Sequence, residues 1–451
     1  MREKRLKSLS VLGIFIVFYL VFFVMDGAVI CADSASYINM DASREPIYPL
    51  FLAALRAICG TEVYLTVAAF LQSILNAVTS WKLTEVLDRH FSLKKWQLGL
   101  IIVIQFAPVL LNRFVAKRAS TYSCSIMTES ITIALWLLLF AFLLEIIYRR
   151  EQKYIWFAAI TCFVMISTRK QMLVVLPLLL LVLWFTYWIP KHSIRHAIFP
   201  VAVICLTYLC IILFERGYNY SLRGEFMGHT DSSNTIFSIM LYTSTVDEKE
   251  YITEKEYQDL FSEILTETYA NGWNYDFAEG GLLALEDHYS ESYDSIAINT
   301  SQPMIVDFLR EQGITDEAEI SMQADAVRSA ILREVLIHNI PKMFKIYMAS
   351  FVHGMILTIA VQNSILNLYS LIAYLLYLCL MGYLFKQNRI DKSAKFALLV
   401  MIAILGNVVL TSLVIFCQTR YMIYNMPLFY LAFFLMLISF IKQKKLMEKL
   451  K

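Results

Sequence analysis

Apolar runs recur along this chain near residues 9–25, 63–87, 96–112, 126–148, 154–168, 172–189, 197–214, 365–385, 396–416 and 421–441. About 17 to 25 mostly apolar residues let a helix cross the hydrocarbon core of a bilayer. Inside lipid no water satisfies backbone amides and carbonyls, so a chain that crosses repeatedly does so as helices. The pattern predicts a polytopic α-helical membrane protein of about ten spans. Composition agrees: 58% of the 451 residues are hydrophobic, above the half or so usual in soluble domains. The 14% aromatic share suits ring-rich helix ends at the headgroups. The N-terminal stretch MREKRLKSLSVLGIFIVFYLVFFVM has the outline of a secretory signal. It lacks a small-residue cleavage site and reads as a retained first span.

The formal charge of +2 conceals a strong asymmetry. Residues 215–341 hold 24 Asp and Glu against 7 Lys and Arg, a net of −17, which leaves +19 on the remainder. One acidic segment is therefore set into a basic membrane body. Domain bounds follow: an N-terminal membrane part at 1–214 with an external loop at 26–62, an acidic module at 215–341, and a C-terminal membrane part at 342–451. Lys and Arg in short loops set orientation. With the N-terminus inside, MREKRLK, DRHFSLKK (88–95), RREQK (149–153), KHSIRH (191–196), KQNRIDKSAK (386–395) and the tail KQKKLMEKLK all fall on the cytoplasmic side. Both termini are then expected in the cytoplasm, and the acidic module outside, in an integral protein of a bacterial cell membrane.

Residues 342–361, KMFKIYMASFVHGMILTIAV, could make an eleventh span, but crossing there would turn two basic segments outward. An interfacial helix with Lys342 and Lys345 at the headgroups fits better. PIYPLFLAALRAICG (46–60) has helical spacing but is too short to span comfortably, and reads as a juxtamembrane helix. Within the module, Ile320, Ala324, Val327, Ile331 and Val335 fall on one helical face, so the segment is a folded unit rather than an acidic tail. The eight cysteines show no zinc-type pairing and no disulfide framework. His229, His288, His338 and His353 are isolated in sequence, which favours core or surface roles. Scattered basic residues give nucleic-acid binding no support.

The stretch DSASYINMDASREPIYPLFL (33–52) is unusually polar for a loop beside a bilayer. It supplies Asp33, Tyr37, Asp41, Arg44, Glu45 and Tyr48. Other cations break the inside-positive pattern: Arg56 in the same loop, Arg113, Lys117 and Arg118 in the next, Arg169 and Lys170 in a tight turn, and Arg420 before the last span. Outer-leaflet anchoring, or pairing with acidic neighbours, accounts for any one of them. Together they suggest a shared anion site, since guanidinium forks match phosphate oxygens. Glu129 enters a span, where an ionisable group is costly. It reads equally as a functional acid or as a helix N-terminal residue helped by Thr128 and the dipole, or as a counter-ion for Arg118.

These residues resemble the GT-C class of glycosyltransferases, in the branch that includes protein mannosyltransferases and aminoarabinose transferases. The resemblance rests on Asp33-Ser-Ala-Ser-Tyr37, then Arg44-Glu-Pro46-Ile-Tyr48-Pro49, on Thr128-Glu129-Ser130, on Thr168-Arg169-Lys170 with Pro177, and on Arg420-Tyr421 before Pro427. It covers roughly 1–215 and 343–441. It departs at the spacing of Pro46 and Pro49 and at the acidic module, which leaves the acceptor open.

The resemblance implies a GT-C-like fold and a sugar donor linked to a polyprenyl phosphate. It also implies inverting transfer at the external face, to a glycan, lipid or protein acceptor. Asp33 and Glu129 would then be the catalytic carboxylates, with Asp33 as base for the acceptor hydroxyl. Arg44, Arg169, Lys170 and Arg420 would hold the donor phosphate, and Tyr37, Tyr48, Arg118 and Tyr421 the substrate. The resemblance makes no cofactor certain; a divalent cation held with help from Glu129 stays open, because two carboxylates are too few to define a metal site. The competing readings are a flippase or transporter for a lipid-linked glycan, and a glycan polymerase or ligase. A transporter is disfavoured because repeated halves are absent and the charges gather at one face.

Overall fold

The computed structural model describes residues 2–189, 193–360, 364–388 and 391–450. Outside it lie Met1, Lys451, Pro190, Lys191 and His192 of one basic turn, Arg389 and Ile390 of another, and Val361 at the end of the expected interfacial segment. Regular structure among the described residues is helical, apart from a single bridge pairing Val29 with Ser125. Eight of these helices are long and apolar enough to cross a membrane, so the chain is a polytopic α-helical membrane protein. They coincide with eight of the ten apolar runs. The other two runs are helical as well but fall short of that criterion. Tyr64–Phe91 is long enough but more polar, and Lys153–Ile166 has only 14 residues.

The chain divides into two compact units. The first comprises Met1–Tyr218, Thr358–Asn407 and Met422–Lys451. Its helices are α1 (Arg2–Asp26), α2 (Ser34–Ile38), α3 (Ile47–Cys59), α4 (Tyr64–Phe91), α5 (Lys95–Leu110), α6 (Glu129–Arg149), α7 (Lys153–Ile166), α8 (Val175–Leu183) and α9 (Ile194–Arg223). Helix α4 packs against α1, α3 and α6. Its lowered hydropathy has a direct cause: Gln72, Ser73, Asn76, Thr79, Ser80 and Thr84 are all buried between helices. Asn76 Nδ2 donates to the Ser130 carbonyl at 2.8 Å, and Gln105 Nε2 donates to Thr84 Oγ1 at 2.7 Å. Such interhelical hydrogen bonds are how polar side chains are accommodated inside a membrane bundle. Helix α6 is apolar almost all round and correspondingly buried, whereas Ile198, Leu206, Leu209 and Leu213 of α9 stay exposed, as lipid-facing side chains do. Near the far end of α6, the buried Glu145 is held by Arg89 at 2.5 Å and by Arg149 at 3.6 Å.

The second unit comprises Asn219–Leu357 and Val408–Tyr421. It holds α10 (Asn234–Thr243), α11 (Lys255–Ala270), α12 (Leu282–Asp294), α13 (Gln302–Glu311) and most of α14 (Glu317–Ile359). Ile320, Ala324, Val327, Ile331 and Val335 are each at most 4% exposed and form the spine of its core, with Phe237, Phe261, Tyr289 and Phe416 around them. Helix α14 runs through Pro341 without a break, so residues 342–359 continue it rather than forming a separate interfacial helix. Proline already has a helical φ; in a helix it removes one hydrogen bond and crowds the preceding turn, and here it does not end the helix. The remaining helices are α15 (Ser364–Gln387), α16 (Lys392–Val414), α17 (Thr419–Met422) and α18 (Met426–Leu450).

Candidate functional site

In the first unit, three segments remote in sequence are drawn together. Helix α1 ends at Gly27, whose φ of +62° turns the chain sharply, a conformation glycine adopts at no steric cost. Val29 then pairs with the second external loop: its amide donates to the Cys124 carbonyl at 3.0 Å, and the Ile126 amide donates to the Val29 carbonyl at 2.9 Å. Ser34 Oγ, fully buried, donates to the Ile126 carbonyl at 2.8 Å. At the start of α3 the Ile47 amide donates to the Ser167 carbonyl at 3.0 Å, joining the first loop to the turn after α7.

Asp33 stands at the N-terminal cap position of α2, but its side chain does not cap the helix. Its carboxylate turns to Arg44, whose Nη2 lies 3.0 Å from Oδ1. The same guanidinium donates through Nε to Ser36 Oγ at 2.7 Å and through Nη1 to the Tyr37 hydroxyl at 3.5 Å, and it lies 4.7 Å over the Tyr37 ring. The Tyr37 hydroxyl meets Thr128 Oγ1 at 3.4 Å. Thr128 Oγ1 accepts from Arg169 Nη1 at 3.0 Å and lies 3.3 Å from Glu129 Oε2. Arg169 closes the chain through an ion pair with Glu129 Oε1 at 2.7 Å. Asp33, Arg44, Tyr37, Thr128, Arg169 and Glu129 are thus one connected network.

Exposure grades across it. The Asp33 and Arg44 side chains are 30% and 27% exposed, Arg169 is 15%, and Glu129 is 0%. The outer end therefore offers a carboxylate and a guanidinium to solvent, while the inner end is a buried pair. Glu129 opens α6, where the helix dipole favours negative charge. Its cation is Arg169, not Arg118. Burial pushes the Tyr37 phenol up to about 12, with the Arg44 charge pulling the other way, so the ring stays a neutral hydrogen-bonding group.

The other expected site residues fall as follows. Lys170 lies beside the network: its amide donates to Glu45 Oε1 at 2.9 Å and its Nζ pairs with Glu215 at 2.7 Å. Tyr48 is fully buried beneath Tyr37, in edge-to-face contact at 5.2 Å, with its hydroxyl accepting from Gln72 at 2.8 Å. The Arg118 guanidinium stacks 4.0 Å over the Tyr122 ring, and Arg113 pairs with the buried Asp26 at 3.0 Å. Arg420 and Tyr421 belong to the second unit, where Arg420 donates to Gln418 at 2.7 Å and to the Tyr421 hydroxyl at 2.8 Å. Arg44, Arg169 and Lys170 each carry a carboxylate partner.

Several participants escaped the sequence reading. Ser36 and Gln171 position the two guanidiniums; Thr128, expected only as a helper of Glu129, is the junction between them. Tyr424 supports the inner end through Thr132 at 2.9 Å. Glu215 was visible only as the first acidic residue beyond an apolar run.

No family model matches this sequence, and no curated protein matches it. Among solved structures, the chain is similar to the crystal structure of ArnT from Cupriavidus metallidurans in the apo state. The two share 12% identity over 94% of this chain and 77% of that one, at a TM-score of 0.32.

Proposed function

We propose that this chain is a GT-C-type glycosyltransferase that moves a sugar from a polyprenyl-phosphate donor to an acceptor hydroxyl at the external membrane face. The observation that carries the reading is the network from Asp33 to Glu129. It joins a half-exposed carboxylate to two arginines, all from loops with one sidedness in the charge pattern. The basic short loops opposite support a cytoplasmic N-terminus and an external position for this network.

In this reading the acceptor oxygen attacks the anomeric carbon while its proton passes to the Asp33 carboxylate. The bond from that carbon to the lipid phosphate breaks, the phosphate leaves with the electron pair, and configuration inverts. A positioned carboxylate base contributes about 10²- to 10⁴-fold in rate. Arg44 orients Asp33, and its remaining donors face the developing phosphate charge with those of Arg169 and Lys170. Each of those cations exchanges part of its carboxylate contact for phosphate as the donor binds. Glu129, fully buried, acts by holding Arg169 rather than by touching the acceptor. Tyr48 supports Tyr37 from beneath.

The test is to incubate membranes containing the full chain with a polyprenyl-phosphate sugar labelled in the sugar. Transfer of label from lipid phosphate to a new product, absent from membranes without the chain, is the expected result. Label that crosses the bilayer while still attached to lipid would mark a flippase instead.

A further inference from the structure

The second unit contains a buried group of charges that the proposed transfer reaction does not use. Glu286 and Asp287 lie on α12 and His353 on α14, and one ligand atom from each falls within 4.8 Å of the others. Glu286 is 0% exposed, His353 8% and Asp287 half-buried. Glu286 Oε2 is in close contact with His353 Nδ1, while Oε1 has no hydrogen-bond donor among the described residues. The Cys417 amide lies beside the same carboxylate and also donates to Ser350 Oγ at 3.0 Å. A buried carboxylate is costly to charge, and a bound cation would offset that cost beyond what a neutral imidazole partner supplies.

We propose that Glu286, Asp287 and His353 bind one divalent first-row transition metal ion that ties α12 to α14 in the second unit. One imidazole and two carboxylates form a borderline N/O donor set, which suits Zn²⁺ or Mn²⁺ and disfavours ions that prefer only oxygen. Metal–ligand bonds of about 2.0 to 2.2 Å place ligand atoms roughly 3 to 4.4 Å apart. Glu286 and His353, in direct contact, must part to admit the ion, and the three donor atoms already lie within 4.8 Å of one another. Glu286 and His353 fix the ion from the buried side, and the half-buried Asp287 leaves a path for entry and room for water ligands. Gly354, next to His353, is packed so tightly that an added Cβ would meet Cys417 Sγ at 2.6 Å, which holds this part of α14 in place. The site is independent of the transferase reading, and its test needs no activity.

The full chain, purified in detergent and stripped with a chelator, is titrated with ZnCl₂ and with MnCl₂ by calorimetry, and bound metal is counted by elemental analysis. The wild type is expected to bind one ion per chain and to melt at higher temperature when loaded. His353→Gln and Asp287→Asn should each weaken binding at least about tenfold, as loss of a ligand requires; loss of even a supporting group costs about 10- to 100-fold. Glu286→Gln should do the same, and because it also removes the buried charge, its apo form should be no less stable than apo wild type. Absence of binding by wild type up to millimolar ion would overturn the proposal and leave a hydrogen-bonded Glu–His pair. Equal binding by wild type and His353→Gln would overturn it too.

Discussion

Arg169→Gln tests the inner end of the network by breaking its buried ion pair. Glu129 is 0% exposed, and Arg169 Nη1 lies 2.7 Å from its carboxylate. Charges roughly 4 Å apart attract by about 4 kcal/mol at an effective dielectric near 20. Removing one partner of a buried pair costs about 3 to 5 kcal/mol, because the other charge is left uncompensated. The two single substitutions should differ. Arg169→Gln strands a carboxylate that no water reaches, whereas Glu129→Gln strands a guanidinium that is 15% exposed and also bonded to Thr128 and Gln171. The expected order is therefore Arg169→Gln least stable, Glu129→Gln intermediate, and the double variant close to Glu129→Gln. Unfolding followed by circular dichroism in mixed SDS–detergent micelles gives the double-mutant cycle. Additive losses, or a Glu129→Gln variant weaker than Arg169→Gln, would refute the reasoning.

Tyr37 supplies a pH test. Its phenol is raised by burial from 10 to about 12, so its contribution to stability is whole below pH 10 and is lost as pH climbs through 12. That shift corresponds to about 2 to 3 kcal/mol. Tyr37→Phe should abolish this part of the alkaline loss; a stability difference from wild type that stays constant from pH 8 to 12 would contradict it. Gly354→Ala should destabilise the protein by about 1 to 3 kcal/mol through overpacking against Cys417 and Val408, and Cys417→Ala should restore part of the loss in thermal melts.

The sequence carried the membrane architecture because apolar length is a local property. It also carried the buried face of α14, since a 3.6-residue period needs no partner to be seen. Helix α4 falls below the criterion for a span because its polar residues serve neighbouring helices that the sequence does not place. Residues 342–361 read as a separate interfacial helix, yet α14 runs on through Pro341 to Ile359. At the site, the residue types and the segments were readable, but the pairing was not. Arg44 was readable beside Asp33 in one loop, but the partners of Arg169 and Lys170, Glu129 on α6 and Glu215 on α9, were not. The group at Glu286, Asp287 and His353 joins residues far apart in sequence with no ligand spacing to announce it.

The central claim, that Asp33 takes the acceptor proton, is tested most directly by the single-turnover rate of sugar transfer. Wild type and Asp33→Asn are compared in matched membranes at saturating labelled polyprenyl-phosphate sugar. The account predicts a fall of about 10²- to 10⁴-fold in Asp33→Asn, with donor binding unchanged. A rate within about twofold of wild type, well short of what a general base contributes, would contradict it.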